Sequence, residues 1–598
     1  MDRPSLSIEK ILWVVVLGLA FAVRFINLGA QPLADQEAGY ALQALAVFPG
    51  TANLEEISYG SQSGYVAISG LLFWVFGSSE SIARLLSALV GTLLCLSPFY
   101  FRNWLGRHAA LIMGLGLALD PGLVAISRLA GGPMPALGFL LLGLGLLAAG
   151  RVAISGVFLG LALLAGPAAW QGAVIIAISV GLARLAESAG WITSLLDSQG
   201  EEGGIFPPVA SWKGGLLSAG LTILLVGTVF GRFSQGLGLL GGSIPVYLSG
   251  WLSASSVTGI QMLAVLLAYQ PLAIIFGIIG GVRGWADRHA FAQRAVIWVL
   301  VALLAVFLYP GRQMGDLIWV LMAFWALAAI ELARYLEVES SSRVVVFGQS
   351  VLVFVMLCLF WLNLAGFNQS LLDQRGYWLR IGILLGVLFL VALTTFLLGY
   401  GWSWKAAVQG LVWGVVAGLV VYQAAGIWSS SRPATAQLLN IWHPSPQSGE
   451  NRLLMETVQD FSKANASAED QIDVVVAVDS PSLRWSFRNF PNVEFITEQE
   501  VSALRISPSL IITQVNEQNP ALAASYRGQD LPWWRMPGWS GVLPQDLPSW
   551  LAYRKHPAIL SSVILWARGD LFPGGSIPDG DTASSPDSLD IPLEEGLP

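Results

Sequence analysis

The sequence predicts a polytopic α-helical membrane protein with a small α/β domain at its C-terminal end. Hydrophobic residues make up 55% of the chain and charged residues only 12%, whereas a soluble domain carries about 25% charged residues. A charge at the centre of a membrane helix costs about 2.5–3.5 kcal/mol on insertion scales. The composition is therefore typical of a chain that is mostly solvated by lipid. Beyond residue 430 the sequence becomes polar and short β-branched runs appear.

Long apolar stretches predict about thirteen transmembrane helices, because a span requires about 20 mostly apolar residues. They lie near 9–27, 80–101, 108–120, 134–150, 152–167, 171–187, 214–231, 259–281, 292–309, 315–335, 344–366, 378–400 and 405–427.

The distribution of Lys and Arg predicts the orientation, since these residues are enriched in cytoplasmic loops. They concentrate on the side of the N-terminus, as at Lys10, Arg107 and Arg288. We therefore expect a cytoplasmic N-terminus in the plasma membrane and, after an odd number of spans, an extracytoplasmic C-terminal domain. The first apolar run ends in Arg24 without a small-residue cleavage site, so it predicts a retained helix and not a signal peptide.

Three regions follow from this pattern. Residues 1–428 form the transmembrane domain, and its first outer loop, 28–79, contains two amphipathic stretches, "EAGYALQALAVF" and "SQSGYVAISGLLFWVFG", which predict helices on the outer membrane surface. Residues 429–572 alternate helical periodicity with apolar strands such as "QIDVVVAV", which predicts an extracytoplasmic α/β domain. Residues 573–598 are acidic and Pro-rich and predict a disordered tail.

Several functional classes have no support. The chain has no basic block typical of nucleic-acid binding. Cys95 and Cys358 both fall in apolar helices, so neither a disulfide nor a metal site is expected from them. The four histidines show no H-x-x-x-H spacing, which leaves a zinc site unsupported.

Three stretches resemble the GT-C superfamily of membrane glycosyltransferases, which includes protein O-mannosyltransferases and the lipid A aminoarabinose transferase. They are "RFINLGAQPLADQEAGYALQA", "FWVFGSSESIARLLSALVGTLLCL" and "LDPGLVAISRLAGGPMPALGF". The long first outer loop and the outer C-terminal domain are also similar to an archaeal and bacterial subgroup described as flippase-associated.

The resemblance implies transfer of a sugar from a polyprenyl-phosphate donor to a protein, lipid or glycan acceptor at the extracytoplasmic membrane face. A lipid-linked donor stays in the bilayer, so the site would lie at the interface. It would need a carboxylate as general base for an acceptor hydroxyl and a cation for the departing phosphate.

Asp35 and Glu37 are the candidate catalytic residues. Both open an amphipathic stretch, where an acid also serves as an N-terminal helix cap. The family motif is an adjacent Asp-Glu pair, and this chain reads Asp-Gln-Glu. Gln36 thus stands where the motif would have an acid, and a glutamine cannot accept a proton. Asp35 and Glu37 are each either a general base or a helix cap.

Five other residues are candidates for substrate binding. Arg312, in the outer loop "YPGRQMGDL", is suited to bidentate phosphate contact or is a snorkelling interface arginine. Asp316 would orient Arg312 or start a helix. Arg84 and Arg128 lie at outer helix ends, where a structural role competes with phosphate contact. Tyr65 would stack on a sugar or anchor the chain at the interface.

No cofactor is expected. Family members often carry a second acid shortly after the position of Arg128, but this chain has "AGGPMPA" there and the acid before it, Asp120, precedes a proline and reads as a turn former. A divalent metal shared between two outer loops stays open as an alternative, but it would lack this second acidic ligand.

Two other functions compete with the transferase. In a non-catalytic relative the scaffold would bind the lipid carrier or assemble a membrane complex, and the altered acidic motif would mark lost chemistry. A transporter would need ionisable residues at mid-depth, and the spans contain almost none.

Overall fold

The computed structural model describes residues 8–48, 60–194, 212–368, 374–431, 441–443, 446–448, 451–466, 468–504, 507–516, 522–538, 547–554 and 558–572. The predicted tail at 573–598 lies outside them. The chain divides into two compact units, the first from Met1–Gly449 and Trp534–Leu560 and the second from Glu450–Trp533 and Ser561–Pro598. Residues 534–560, which the sequence placed in the C-terminal domain, thus cluster with the transmembrane unit.

Helices dominate the described chain. In order they are α1 (Ile8–Phe25), α2 (Asp35–Ala46), α3 (Ser63–Phe76), α4 (Glu80–Leu94), α5 (Ser97–Tyr100), α6 (Arg102–Leu105), α7 (Arg107–Ala118), α8 (Pro121–Ser127), α9 (Pro133–Ala148), α10 (Val152–Leu163), α11 (Pro167–Ser188), α12 (Lys213–Gly227), α13 (Gln235–Ser249), α14 (Gly259–Tyr269), α15 (Pro271–Ala286), α16 (Ala290–Leu308), α17 (Ile318–Ala333), α18 (Arg343–Ala365), α19 (Gln374–Gly401), α20 (Trp404–Ser431), α21 (Asn451–Ala466), α22 (Pro481–Ser486), α23 (Glu498–Val501) and α24 (Leu547–Tyr553). A 3₁₀ turn, Met314–Leu317, leads into α17.

The described residues contain six strands, of which the first four have five residues or fewer and the last two have 12 and 11. They are β1 (Gln447–Ser448), β2 (Val474–Val476), β3 (Val493–Phe495), β4 (Leu510–Gln514), β5 (Tyr526–Pro537) and β6 (Ala558–Arg568).

The chain is an integral membrane protein. Seven helices within the described ranges are long and apolar enough to cross a membrane, or up to nine when each bent pair counts as one span. The stretches predicted at 134–150, 152–167 and 214–231 are helical but shorter, so the total of about thirteen remains a prediction. The seven are Glu80–Tyr100, Pro167–Ser188, Ala290–Leu308, Met314–Ala333, Arg343–Ala365, Gln374–Gly401 and Trp404–Ser429.

Two spans are bent where proline begins a new helix. The α7–α8 pair bends by 57° and the α14–α15 pair by 91°, so the stretch near 259–281, predicted as one span, is two helices. Proline has no N–H and fits the first turn of a helix, and Pro121 and Pro271 both occupy that place.

One buried carboxylate joins the two breaks. Asp120 caps α8 by accepting a hydrogen bond from Leu123 N at 2.8 Å, and it also accepts from Gln270 Nε2 at 2.9 Å and Trp325 Nε1 at 2.7 Å. Gln270 lies at the break before α15. The residue predicted as a turn former thus holds together both bent spans and α17.

Helix α17 lies at the centre of the transmembrane unit, and its side chains from Ile318 to Leu332 are buried. Glycines let neighbouring helices approach it, as is common in membrane bundles. A Cβ on Gly172 would overlap the Trp319 ring, and one on Gly116 would overlap Trp325.

The second unit has a mixed sheet. Strand β2 pairs in parallel with β3 and β4, and β4 pairs antiparallel with β6, which gives the order β6-β4-β2-β3. The β2 residues are buried, as expected for a central strand of a parallel sheet. Trp533 is buried there and donates from Nε1 to Ser482 Oγ at 3.0 Å.

Candidate functional site

A cavity of about 730 Å³ opens in the first unit. Its wall includes residues of α2, the turn before α9, the start of α11, the end of α13, the 3₁₀ turn before α17 and the segment 441–443. Two predicted site residues line it, Glu37 and Asp316. The cavity therefore brings together carboxylates from opposite halves of the transmembrane sequence.

Glu37 is buried and its carboxylate accepts four hydrogen bonds. Oε1 accepts from Arg84 Nε at 2.9 Å and from Ala130 N at 2.8 Å, and Oε2 accepts from Arg84 Nη2 at 2.8 Å and from Ala34 N at 3.1 Å. The bond to Ala34 closes the first turn of α2. Glu37 thus fixes three separate segments, and its oxygens are already engaged.

Electrostatics keep Glu37 ionised. Burial alone would raise the pKa of this carboxyl, but the charge and hydrogen bonds of Arg84, with smaller contributions from His443 and the Ala130 amide, hold it below its usual value. Burial lowers the pKa of His443 to about 4. At neutral pH the site therefore contains a carboxylate at Glu37 and an uncharged imidazole at His443.

Arg84 and Arg128 both donate to backbone carbonyls, and Arg84 also contacts Glu37. Arg84 donates to the carbonyls of residues 28, 31 and 32 besides holding Glu37. Arg128 donates to the carbonyls of residues 23, 24, 26 and 27 at the end of α1. An arginine at this end of a helix neutralises carbonyls that have no helical partner. Neither arginine lines the cavity.

Asp35 and Tyr65 lie beside the cavity wall and are not part of it. Asp35 Oδ2 accepts from Trp534 Nε1 at 2.8 Å. Tyr65 is buried and its hydroxyl donates to the Ala83 carbonyl at 2.7 Å. The predicted catalytic role of Asp35 and the predicted binding role of Tyr65 remain predictions.

Asp316 is buried in the cavity wall and has one hydrogen bond in the described chain, from Gln313 N to Oδ2 at 2.8 Å. This bond caps the 3₁₀ turn. The stacked rings of Tyr247 and Tyr309, with centroids 5.4 Å apart, line the same cavity.

Arg312 lies between two cavity-lining residues, Gly311 and Gln313, and does not itself line the cavity. Its Nη1 donates to the Phe307 carbonyl at 3.0 Å, and its buried Nε has no partner within the described chain. The structure thus places Arg312 at the cavity edge and does not join it to Asp316 by an ion pair.

Sequence reasoning missed most of the uncharged polar wall. Five glutamines line the cavity, and so do His443 and Tyr40, whose hydroxyl accepts from Gln36 Nε2 at 3.3 Å. Polar side chains inside otherwise apolar stretches, such as Gln171 in "PAAWQGAVIIAISV", were the available signal. The glutamines are residues 36, 62, 171, 261 and 313.

The residues do not fit a divalent metal at this site. The oxygens of Glu37 are occupied by N–H donors, and the described chain contains no group of three or more His, Cys, Asp or Glu placed to share an ion.

No protein-family model matches the chain, and no curated protein matches its sequence. Among solved structures, the crystal structure of ArnT from Cupriavidus metallidurans bound to undecaprenyl phosphate is similar, with a TM-score of 0.50 and 14% identity over 92% of this chain and 97% of that chain. The chain therefore shares the fold of that protein. ArnT in the apo state matches with a TM-score of 0.48 and 16% identity over 83% of this chain and 92% of that chain.

The three sequence stretches implied a fold of this kind, and the likeness in fold is confirmed. The shared architecture extends over most of both chains, although few residues are identical.

Proposed function

We propose that this chain transfers a sugar from a polyprenyl-phosphate donor to an acceptor at the extracytoplasmic membrane face. The observation that carries the proposal is a cavity lined by two carboxylates, Glu37 and Asp316, in the fold of a protein whose crystal structure contains undecaprenyl phosphate. The cavity volume of about 730 Å³ lies in the range of small-molecule sites.

Asp316 is the general base in this proposal. A base needs a lone pair that faces the acceptor, and Asp316 accepts one hydrogen bond whereas Glu37 accepts four. The acceptor hydroxyl would attack C1 of the sugar as the bond from C1 to the phosphate oxygen breaks. Its proton would pass to Asp316, and polyprenyl phosphate would leave.

Arg312 is the proposed cation for the departing phosphate. It adjoins two lining residues, and its Nε is buried without a partner in the described chain. A phosphate oxygen would satisfy that N–H, and an arginine matches the geometry of phosphate.

Glu37 and Arg84 are positioning residues in the same proposal. Their ion pair ties the start of α2 to α4 and to the backbone at Ala130. Asp35, which contacts Trp534, stays a second candidate base and is tested beside Asp316.

The test uses purified protein in lipid nanodiscs with undecaprenyl-phosphate glucose or mannose and a cell-envelope extract as the source of acceptor hydroxyl groups, and it measures free undecaprenyl phosphate by mass spectrometry. We expect Asp316→Asn to reduce release by roughly 100-fold or more, as loss of a general base does. Asp35→Asn should retain most activity. Glu339→Gln, which alters an exposed acid of the same unit, is the matched control.

A lipid-carrier binding subunit is the second candidate, and the saturated Glu37 carboxylate favours it. Binding of undecaprenyl phosphate without turnover of either donor, unchanged by Asp316→Asn and Asp35→Asn, would support that function and reject the transferase.

A further inference from the structure

The side chains that surround the cavity carry little positive charge. Among the described residues that line it, none is a lysine or an arginine. The one histidine, His443, has a pKa lowered by burial to about 4 and is therefore neutral at physiological pH.

The two carboxyl groups that line the cavity differ in whether a cation pairs with them. Arg84 neutralises Glu37 at 2.8 Å, with both side chains buried. Asp316 has no ion pair within the described chain, and its recorded partner is the backbone amide of Gln313. At Asp316 the wall therefore presents a carboxyl group that no lining cation pairs with.

The remaining polar groups suit hydroxyls. Amides of Gln36, Gln62 and Gln171 and the hydroxyl of Tyr40 provide neutral donors and acceptors along the wall. The stacked Tyr247 and Tyr309 rings supply an apolar face beside Asp316 of the kind on which a sugar ring packs. These groups can form hydrogen bonds with the hydroxyls of an uncharged sugar, and no further charge is then buried without a partner.

An anionic sugar would have unfavourable electrostatic interactions in this cavity. Like charges a few ångströms apart repel strongly when solvent is excluded, and a buried carboxylate without a cation carries a further desolvation penalty. Here a sugar carboxylate would face Asp316 with no lining cation to offset it.

From these observations we infer that the cavity selects donors whose sugar carries no negative charge and rejects uronic acids, with Asp316 as the residue that determines this selectivity. The inference rests on the proposed function, because it places the donor sugar in this cavity. The inference concerns only the charge of the donor sugar. The donor phosphate is still expected to contact Arg312 at the edge of the cavity.

The test compares two donors that differ at one carbon, undecaprenyl-phosphate glucose and undecaprenyl-phosphate glucuronate. Their dissociation constants for the protein in nanodiscs are measured by competition against fluorescent undecaprenyl phosphate. We expect the glucose donor to bind at least about tenfold more tightly than the glucuronate donor, because one tenfold step equals about 1.4 kcal/mol.

Two variants test whether Asp316 causes the difference in affinity between the two donors. Asp316→Asn should reduce that difference, mainly because the glucuronate donor binds more tightly. Gln313→Lys adds a cation next to Asp316 and should narrow it as well, which provides an independent test if Asp316→Asn folds poorly. Glu339→Gln should leave the ratio unchanged.

Equal or tighter binding of glucuronate by the wild type overturns the inference, and so does a donor sugar that adds no affinity over undecaprenyl phosphate alone. Release of undecaprenyl phosphate is measured in parallel. If the protein discriminates between the two donors but releases no undecaprenyl phosphate, the selectivity stands and the transferase proposal is rejected. If it releases undecaprenyl phosphate but binds both donors equally, the transferase proposal stands and the selectivity is rejected.

Discussion

Glu37 and Arg84, 47 residues apart, form a buried ion pair with Nη2 to Oε2 at 2.8 Å and Nε to Oε1 at 2.9 Å. The bidentate geometry matches the planar guanidinium to the carboxylate. Because Arg84 also donates to three backbone carbonyls before α2, the pair fixes the first outer segment to α4. The wall of the cavity is thus held by an electrostatic contact inside the protein.

Breaking this pair should destabilise the protein strongly. Glu37→Gln leaves the Arg84 charge buried and uncompensated, which typically costs about 3–5 kcal/mol. The double variant Glu37→Gln/Arg84→Met should cost less than the sum of the single variants, since the two side chains interact directly. Thermal unfolding in detergent, followed by tryptophan fluorescence, measures each value.

The matched control is the exposed pair Arg452–Glu456 in the second unit, whose side chains are 87% and 50% exposed. Glu456→Gln should leave unfolding unchanged, because exposed pairs contribute little. Additive effects at positions 37 and 84 would contradict the described contact.

The contact between Gly172 of α11 and the Trp319 ring of α17 should make position 172 intolerant of a side chain. Gly172→Ala places a methyl group against the buried ring of Trp319, and overpacking of this kind costs about 1–3 kcal/mol. On the same helix Gly181 has open space around it. Gly181→Ala should therefore be neutral or stabilise by up to about 1 kcal/mol through helix propensity.

Thermal unfolding of the two glycine variants in parallel decides this point. Equal midpoints would show that the α11–α17 contact is looser than the structure describes. A larger substitution, Gly172→Val, should deepen the loss at the first site.

The buried acid at the two helix breaks should be more important for folding than for chemistry. Asp120→Ala removes three acceptor contacts and leaves the amide of Gln270 and the indole of Trp325 buried without partners. Each orphaned donor costs about 1–3 kcal/mol. We expect reduced expression in membranes and a lower unfolding midpoint, measured by size-exclusion chromatography and fluorescence.

Trp325→Phe is the control for this site, because it removes one donor and keeps most of the ring volume. It should cost less than Asp120→Ala. If both variants unfold like the wild type, Asp120 does not hold the bent spans together.

The sequence predicted local features well and distant contacts poorly. Apolar length located the helices, and the amphipathic stretches after Arg24 appear as α2 and α3, because both signals lie within a few turns of chain. Other contacts depend on packing between segments that are remote in sequence. They include the ion pair of Glu37 with Arg84 and the hydrogen bond from Trp534 to Asp35. No periodicity encodes those contacts.

The same distinction applies to the candidate site. The acidic motif led to Glu37, a genuine cavity residue, but could not show that four donors already occupy it. Asp316 was predicted to orient Arg312 or to start a helix. In the structure it accepts a hydrogen bond from Gln313 N at the start of the 3₁₀ turn, and its role in binding stays a prediction.

His443 should make stability depend on pH in a defined window. Its pKa falls from an ordinary 6.5 to about 4 on folding because burial disfavours the charged imidazole. Between pH 6.5 and 4 the unfolded chain binds a proton that the folded chain does not, so stability is full above pH 6.5 and declines as pH falls towards 4. The slope is at most about 1.4 kcal/mol per pH unit for one proton.

His443→Asn should flatten the pH dependence of the unfolding midpoint between pH 6.5 and 4, whereas His108→Asn, at an exposed histidine of α7, should not. The loss between pH 6.5 and about 5 belongs to His443, because the stabilisation from Glu37, whose pKa is lowered from 4.5 on folding, begins to fall only as the pH approaches 4.5. An unchanged slope in His443→Asn would mean that the imidazole is solvated in the folded protein and that the cavity wall is open at residues 441–443.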